Sequence, residues 1–284
     1  MCGVIGTVLS PKHRSADQLL DICDDFTEML VAAQVRGIDA AGVFVINEGG
    51  EHFYYRAPMA ASRLVNAEGF YNVLDNVTNQ TIAIVGHTRA ATTGSPAVND
   101  NNHPIYDAPL LGVHNGVIHN HRQLRAEYGA VADVDSAVIL SVIKSELVGD
   151  EPLTRKNLVA ALPKLQGSFA IAVTDLRDDS LFLARNAGSP MVITQRTNGQ
   201  LWFASTETIL AEGLRLQSKI DSQTLPANTV LRLTRTEAKG VKQLHLAGFT
   251  PAKVINPTVS PRFELHPPQS ASTLLTGGRY IGGL

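Results

Sequence analysis

The chain begins Met1-Cys-Gly-Val-Ile-Gly-Thr-Val8, MCGVIGTV, and the fold turns on how these residues are read. A terminus is ordinarily the least ordered part of a domain. Yet Gly3 to Val8 form a short apolar run suited to a buried strand. Once Met1 is removed, Cys2 carries a thiol and a free amine within one residue. The question is whether that arrangement is incidental or catalytic.

Working outward, ADQLLDICDDFTEMLVAAQ repeats Leu19, Leu20, Cys23, Phe26, Met29 and Leu30 at helical spacing, which makes Cys23 a core position on a helix. The turn RGIDAAG leads to a strand in GVFVINEGG and its hairpin partner HFYYRAP, then to a polar helical stretch ending near Asn76. TIAIVGH reads as a buried strand feeding the loop TRAATTGSPAVNDNNHPIYDAP. Loops longer than about 15 residues are more often functional or disordered. PLLGVHNGVI reads as strand–turn–strand, with Asn115-Gly116 as the turn. Helices are expected near His121–Tyr128, Asp135–Leu147 and Thr154–Leu162.

SFAIAVTD, SLFLARN, PMVITQR and LWFAST are strands, and Thr206-Glu207-Thr208 opens a short helix with hydroxyls for capping. Strands near Thr229–Leu233 and Lys242–Leu246 close the body. Strands and helices come in clusters, which favours an α+β fold over a doubly wound sheet. The domain is expected to span residues 2–247. From Gly248, five prolines among Ser and Thr predict an extended arm over 248–284.

The totals exclude several classes of function. With 284 residues and 44% hydrophobic content the chain can bury a sizeable core. A formal charge of -2 gives no electrostatic footprint for nucleic acid or an anionic membrane. No apolar stretch approaches the ~18 residues of a spanning helix, and the N-terminus lacks a signal-peptide pattern. Two cysteines, Cys2 and Cys23, make no disulfide framework and fit a reducing, cytoplasmic setting.

A thiol nucleophile needs a base. The α-amino group of an N-terminal residue, with an ordinary pKa of about 7.7–8.0, is held within reach directly or through one water. Amide chemistry also needs donors for an oxyanion, a role open to Asn115 and the Gly116 N–H. Asn-Gly is equally the commonest hairpin turn. Arg89 carries a planar fork suited to a carboxylate, although arginines are mostly surface residues. Asp135 is suited to a substrate amine and, alternatively, to capping a helix. His114, His119 and His121 invite a metal reading, but no Cys or carboxylate joins them at ligand-like spacing. No metal and no cofactor is expected.

Eight blocks occur in order: MCGVIG, RGIDAAG (36–42), GHTRAATTG (86–94), NNHP (101–104), VHNGVI (113–118), DVDSAVI (133–139), GSFAIAV (167–173) and FAST (203–206). Together, over roughly residues 2 to 245, they resemble class II glutamine amidotransferase domains. These are the N-terminal-nucleophile glutaminases of glucosamine-6-phosphate synthase, amidophosphoribosyltransferase and asparagine synthetase. The resemblance implies a four-layer αββα sandwich and hydrolysis of L-glutamine to glutamate and ammonia. It implies Cys2 as nucleophile, its α-amine as general base, and Asn115 and Gly116 as oxyanion hole. It further implies Arg89 on the glutamine carboxylate and Asp135 on its amine, with Thr92 and His103 near the pocket. Arg36 and Gly37 would shape the loop that holds Cys2.

Three positions depart from the family pattern: Ala90 where an aromatic is common, Thr93 where the sugar-phosphate synthases have His, and Ala40 for the usual Ser. None removes a proposed chemical group. The arm is too short for an acceptor domain of ~100 residues. The expected partner is therefore a separate synthetase or transferase that accepts the ammonia. The competing readings are an N-terminal-nucleophile amidase for another amide and a non-catalytic glutamine-binding module.

Overall fold

The apolar run behind Cys2 forms β1, Gly3–Leu9, and all of it is buried. Helix α1, Ala16–Ala33, follows, its start fixed by a capping box in which Ser15 and Gln18 each accept the other's backbone N–H. Then come β2 (Ala40–Asn47), β3 (His52–Ala57), the short helices α2 (Ala61–Leu64) and α3 (Glu68–Leu74), and β4 (Thr81–Arg89). The middle of the chain gives β5 (Ile105–Asp107), β6 (Leu110–Ile118), α4 (His121–Tyr128), α5 (Asp135–Lys144), α6 (Arg155–Ala161), β7 (Gly167–Asp175) and β8 (Leu181–Arg185). The last elements are β9 (Val192–Arg196), β10 (Gln200–Ala204), α7 (Glu207–Gly213), β11 (Ser222–Thr224), β12 (Thr229–Leu233) and β13 (Leu246–Gly248). This computed structural model describes residues 1–196, 199–215, 221–239 and 246–251, all within one unit, Met1–Lys253.

The strands make two antiparallel sheets, ordered β11-β9-β10-β1-β4-β2-β3 and β13-β12-β8-β7-β6-β5. Alternation along the strands sorts their side chains into layers. Ile5, Leu9, Val43, Val45, Ile84 and Trp202 join Phe26, Met29 and Leu30 of α1 in one core. Phe169, Ile171, Val173 and Phe182 join α5 and α6 in a second. The opposite faces meet between the sheets, where Val4, Val8, Phe44, Val85 and Phe203 pack on Leu111, Val113, Ala172 and Leu183. Each such large apolar side chain contributes about 1.5–3 kcal/mol on full burial. The result is the expected αββα sandwich.

β1 lies in the interior of the first sheet, with β4 on one side (Gly3↔Thr88) and β10 on the other (Ile5↔Ala204). Ser205 extends that second pairing to the very start of the strand: its Oγ accepts from Val4 N at 2.9 Å, and its own N–H donates to Val4 O at 2.8 Å. The terminus is therefore tied on both sides, and fraying is suppressed.

One expectation is corrected. Asn115-Gly116 is not a turn: β6 runs unbroken through both residues, with Asn115 opposite Ala170 and Gly116 opposite Phe169 on β7. A two-residue type I′ hairpin needs positive φ at both central positions. Here Gly116 alone has it, at 145°, and a Cβ there would stand 1.9 Å from the Ser168 carbonyl oxygen. The glycine thus serves a distorted, close-packed point within a strand. The loop after β4 also contains the short strand β5, hidden in sequence by its length. The predicted strand at Lys242–Leu246 lies mostly outside the described residues. At the start of the expected arm, Gly248 is still in β13 and Phe249 stacks on Phe169 at 5.9 Å. Residues 252–284 lie outside the described residues.

Three buried histidines gather at one end of the sandwich. His87 Nε2 lies 2.9 Å from His114 O, and the His87 and His103 ring centroids are 3.9 Å apart. Burial holds His87 down at about 3 and also lowers His103 and His114. These rings are neutral in the fold but titrate near 6.5 in the unfolded chain. The unfolded state therefore binds more protons below that pH, so their contribution is complete above pH 6.5 and is lost as pH falls toward 3. Chemical denaturation at pH 7, 6 and 5 should show stability falling below pH 6.5 by up to about 1.4 kcal/mol per unit for each such histidine. A flat profile would contradict their neutrality.

Candidate active site

The register Gly3↔Thr88 sets Cys2 beside the end of β4, where Arg89 stands. The Cys2 thiol is buried and donates to the Ala90 carbonyl at 3.6 Å, while the Cys2 carbonyl accepts from Arg36 Nε at 2.7 Å. Gly37 lets this loop lie against the next one: a Cβ there would fall 2.2 Å from the Arg89 carbonyl carbon. Asp39 completes the join, donating its N–H to Arg89 O at 3.0 Å and accepting Ala91 N–H on its carboxylate at 2.8 Å. Arg36 and Gly37 therefore contact the backbone at Cys2 and Arg89 and do not line the pocket. Met1 is 78% exposed, outside the body.

A narrow pocket opens at Cys2. Arg89, Thr92, His103, Gly116 and Asp135 line it, together with Thr93 and His114. Residues scattered from position 2 to position 135 are brought together there. Asn115 lies beside Gly116 on β6, buried, and neither its Nδ2 nor its Oδ1 has a hydrogen-bond partner among the described residues. A buried amide of this kind is costly unless something else engages it.

Arg89 is a buried residue, 2% exposed, rather than a surface one. Its Nη1 donates to Asn102 Oδ1 at 2.7 Å, and its Nη2 donates to the carbonyls of Thr93 at 2.5 Å and Gly94 at 2.8 Å. These bonds use three of the five N–H groups of a guanidinium. Asp135 is the first residue of α5 but does not cap it; Val134 holds the cap position. Its carboxylate accepts instead from Thr93 Oγ1 at 2.9 Å and from Ile118 N at 2.8 Å. The pocket thus brings one cation and one anion to the same thiol.

Burial pushes the Cys2 thiol up, against the lowering effects of the Ala90 bond, the chain's terminal charge and Arg89. Burial lowers Arg89, opposed by Cys2, Asp135 and Asp39, and it lowers Arg36 as well. His103 is buried with both ring nitrogens unpartnered among the described residues. It is held neutral by burial first and by His87, His114 and two arginines after it. His114 bonds Ser136 Oγ through Nδ1 at 2.8 Å, and His121 Nδ1 lies 2.7 Å from Ile118 O. Among the described residues no group of His, Cys, Asp or Glu is gathered as a metal would need. No helix among them is long and apolar enough to cross a membrane.

Sequence reading misses Asp39, Asn102 and the role of Thr93. Asn102 stands in a quoted block, but nothing in NNHP announces that its amide props Arg89. Thr93 stands out in the sequence only as a departure from histidine.

A family model described as a glutamine amidotransferase domain matches residues 87–212. The glutamine--fructose-6-phosphate aminotransferase (isomerizing) of Geobacillus kaustophilus is 30% identical over 198 residues, covering 68% of this chain and 30% of that protein. The Escherichia coli K12 enzyme of the same name gives the same identity and coverage. The chain thus spans under a third of the length of these curated relatives. Among solved structures, glutamine phosphoribosylpyrophosphate amidotransferase from B. subtilis, complexed with ADP and GMP, is similar with a TM-score of 0.61 at 21% identity. A structure described as the allosteric regulatory enzyme of purine biosynthesis scores 0.65 at 18% identity. Each similarity covers 88% of this chain and 49% of the other, and at such identities shows the shared fold. The matched segment, the paired antiparallel sheets and their flanking helices agree: this chain contains a class II glutamine amidotransferase domain, of the glutaminase type built on the N-terminal-nucleophile hydrolase fold.

Proposed function

We propose that the domain hydrolyses L-glutamine to glutamate and ammonia through a thioester on Cys2, the ammonia passing to a synthetase or transferase. The observation that carries this reading is the pocket itself, which sets one buried thiol with a buried arginine and a buried aspartate. A zwitterionic amino acid with a side-chain amide answers all three groups. An uncharged amide would need neither Arg89 nor Asp135.

Removal of the residue ahead of Cys2 frees its α-amine. That amine takes the thiol proton, which burial otherwise holds on sulfur. The thiolate attacks the amide carbon and forms a C–S bond, and the carbonyl π electrons move to oxygen. Asn115 Nδ2 and the Gly116 N–H receive the oxyanion. Collapse of the intermediate breaks the C–N bond, and the Cys2 ammonium protonates the departing nitrogen, releasing ammonia. Water, deprotonated by the same amine, then attacks the thioester, returning the thiol and glutamate. Throughout, Arg89 holds the glutamine carboxylate and Asp135 its ammonium, with Thr92 and His103 on the pocket wall. The consumer of the ammonia lies in a partner protein or in a further domain. This placement follows the relatives' named aminotransferase activity and the small fraction of their length that the chain covers.

Cys2→Ala should cut glutamate release from glutamine by at least about 10³-fold while leaving glutamine binding by calorimetry intact. Protein retaining Met1, verified by intact mass, should be equally inactive, because the base is then an amide nitrogen. Activity equal to wild type in either form would overturn the mechanism, and binding without turnover by the wild type would favour a sensing module.

The pH profile follows from the same roles. A general base must be unprotonated, so kcat/KM should rise with pH through the amine's range, about 7.7–8.0 for an ordinary α-amine, and level off above it. Gly116→Ala should lower kcat by about 10²-fold or more, since its Cβ must displace the strand that presents the oxyanion donors.

A further inference from the structure

Thr93 touches both charged groups of the pocket. Its carbonyl accepts from Arg89 Nη2 at 2.5 Å. Its hydroxyl donates to Asp135 Oδ1 at 2.9 Å and accepts from Asp135 N at 3.2 Å. The hydroxyl is therefore fully oriented: its one proton goes to the carboxylate, and a lone pair takes the backbone donor. Ile118 N holds the other carboxylate oxygen. One residue thus sets the cation and the anion at a fixed separation, although they come from different layers: Arg89 ends β4 and Asp135 begins α5.

We propose that Thr93 is a positioning residue that determines specificity: by tying Asp135 to Arg89 it makes the pocket select an α-amino acid head group carrying both charges. The assignment rests on the glutamine reading above. Thr93 moves no proton in the reaction. Its hydroxyl orients the Asp135 carboxylate toward the substrate ammonium, so its effect falls on ground-state recognition of that ammonium. Removing the hydroxyl while keeping the shape leaves Asp135 N–H and Oδ1 without this partner and frees the carboxylate to turn about its side-chain bonds. Serine preserves both bonds.

The test compares wild type, Thr93→Val and Thr93→Ser on glutamine and on glutaramate, which has the same amide and carboxylate but no amine. Thr93→Val should raise KM for glutamine roughly tenfold, with kcat within about threefold and KM for glutaramate within about twofold. Thr93→Ser should restore the glutamine KM to within about threefold of wild type. In an Asp135→Asn background, Thr93→Val should add nothing further to the glutamine KM. Equal losses on both substrates, or no loss on either, would overturn the assignment. If Thr93→Val fails to melt cooperatively, Thr93→Ala, which also lacks the hydroxyl, decides in its place, by calorimetric binding of both ligands in the Cys2→Ala background: a loss of glutamine binding with glutaramate binding unchanged supports the assignment, and equal losses or none overturn it. Wild-type protein that binds glutamine with this Thr93 dependence but releases no glutamate would sink the glutaminase reading alone. Absence of glutamine binding would sink both.

Discussion

The site depends on the pairing of β1 between β4 and β10. Among the described residues, the Cys2 side chain has one anchor, a long thiol bond to Ala90. Its position is inherited from a strand whose both edges are satisfied, with Ser205 closing the ladder at Val4. This pairing joins residue 4 to residue 205, so it forms only when most of the chain is in place. Cys2, at the head of such a strand, is ordered by the whole sheet, and the Arg36 bond to its carbonyl adds a local hold.

The division of labour between the two sheets follows. The first sheet supplies Cys2 and Arg89 from adjacent strands, whereas the second supplies Asn115 and Gly116 from β6 and Asp135 through α5. Cys2, Arg89, Gly116 and Asp135 therefore line one pocket although they come from both sheets. Their separation is fixed by the apolar packing of Val4, Val85 and Phe203 against Leu111 and Val113 of β6. The loop after β4 bridges the seam between the sheets from outside, bonding Arg89 through its carbonyls and Asp135 through Thr93. Burial of three neutral histidines beside it keeps that end of the seam free of further positive charge.

Much of this is legible in the sequence because it rests on local pattern. The apolar runs of β1, β2 and β7 and the helical spacing around Cys23 mark their elements, and α4 falls on His121–Tyr128 as expected. Cys2, Arg89, Gly116 and Asp135, expected from the ordered blocks, line one cavity. Asn115-Gly116 reads as a turn for a physical reason. The residue that permits a hairpin, a glycine free to take positive φ, is the same residue that permits a kink inside a continuous strand. Only the nine-residue pairing of β6 with β7 separates the two cases, and that pairing joins positions too far apart to be seen locally.

Thr93 marks the other limit of sequence reading. Its residue type differs from the histidine common in the sugar-phosphate synthases, so comparison of blocks marks it only as a departure. The structure shows a hydroxyl that donates to a carboxylate and accepts from that residue's own backbone N–H through a single atom. One imidazole nitrogen cannot do both at once, because it is either a donor or an acceptor. Both bonds join residue 93 to residue 135, and the carbonyl of the same residue reaches back to Arg89. A contact that spans two layers in this way leaves no periodicity in the chain. Through residue 93 the two charges are tied to each other, so their relation, rather than either charge alone, is what the fold fixes.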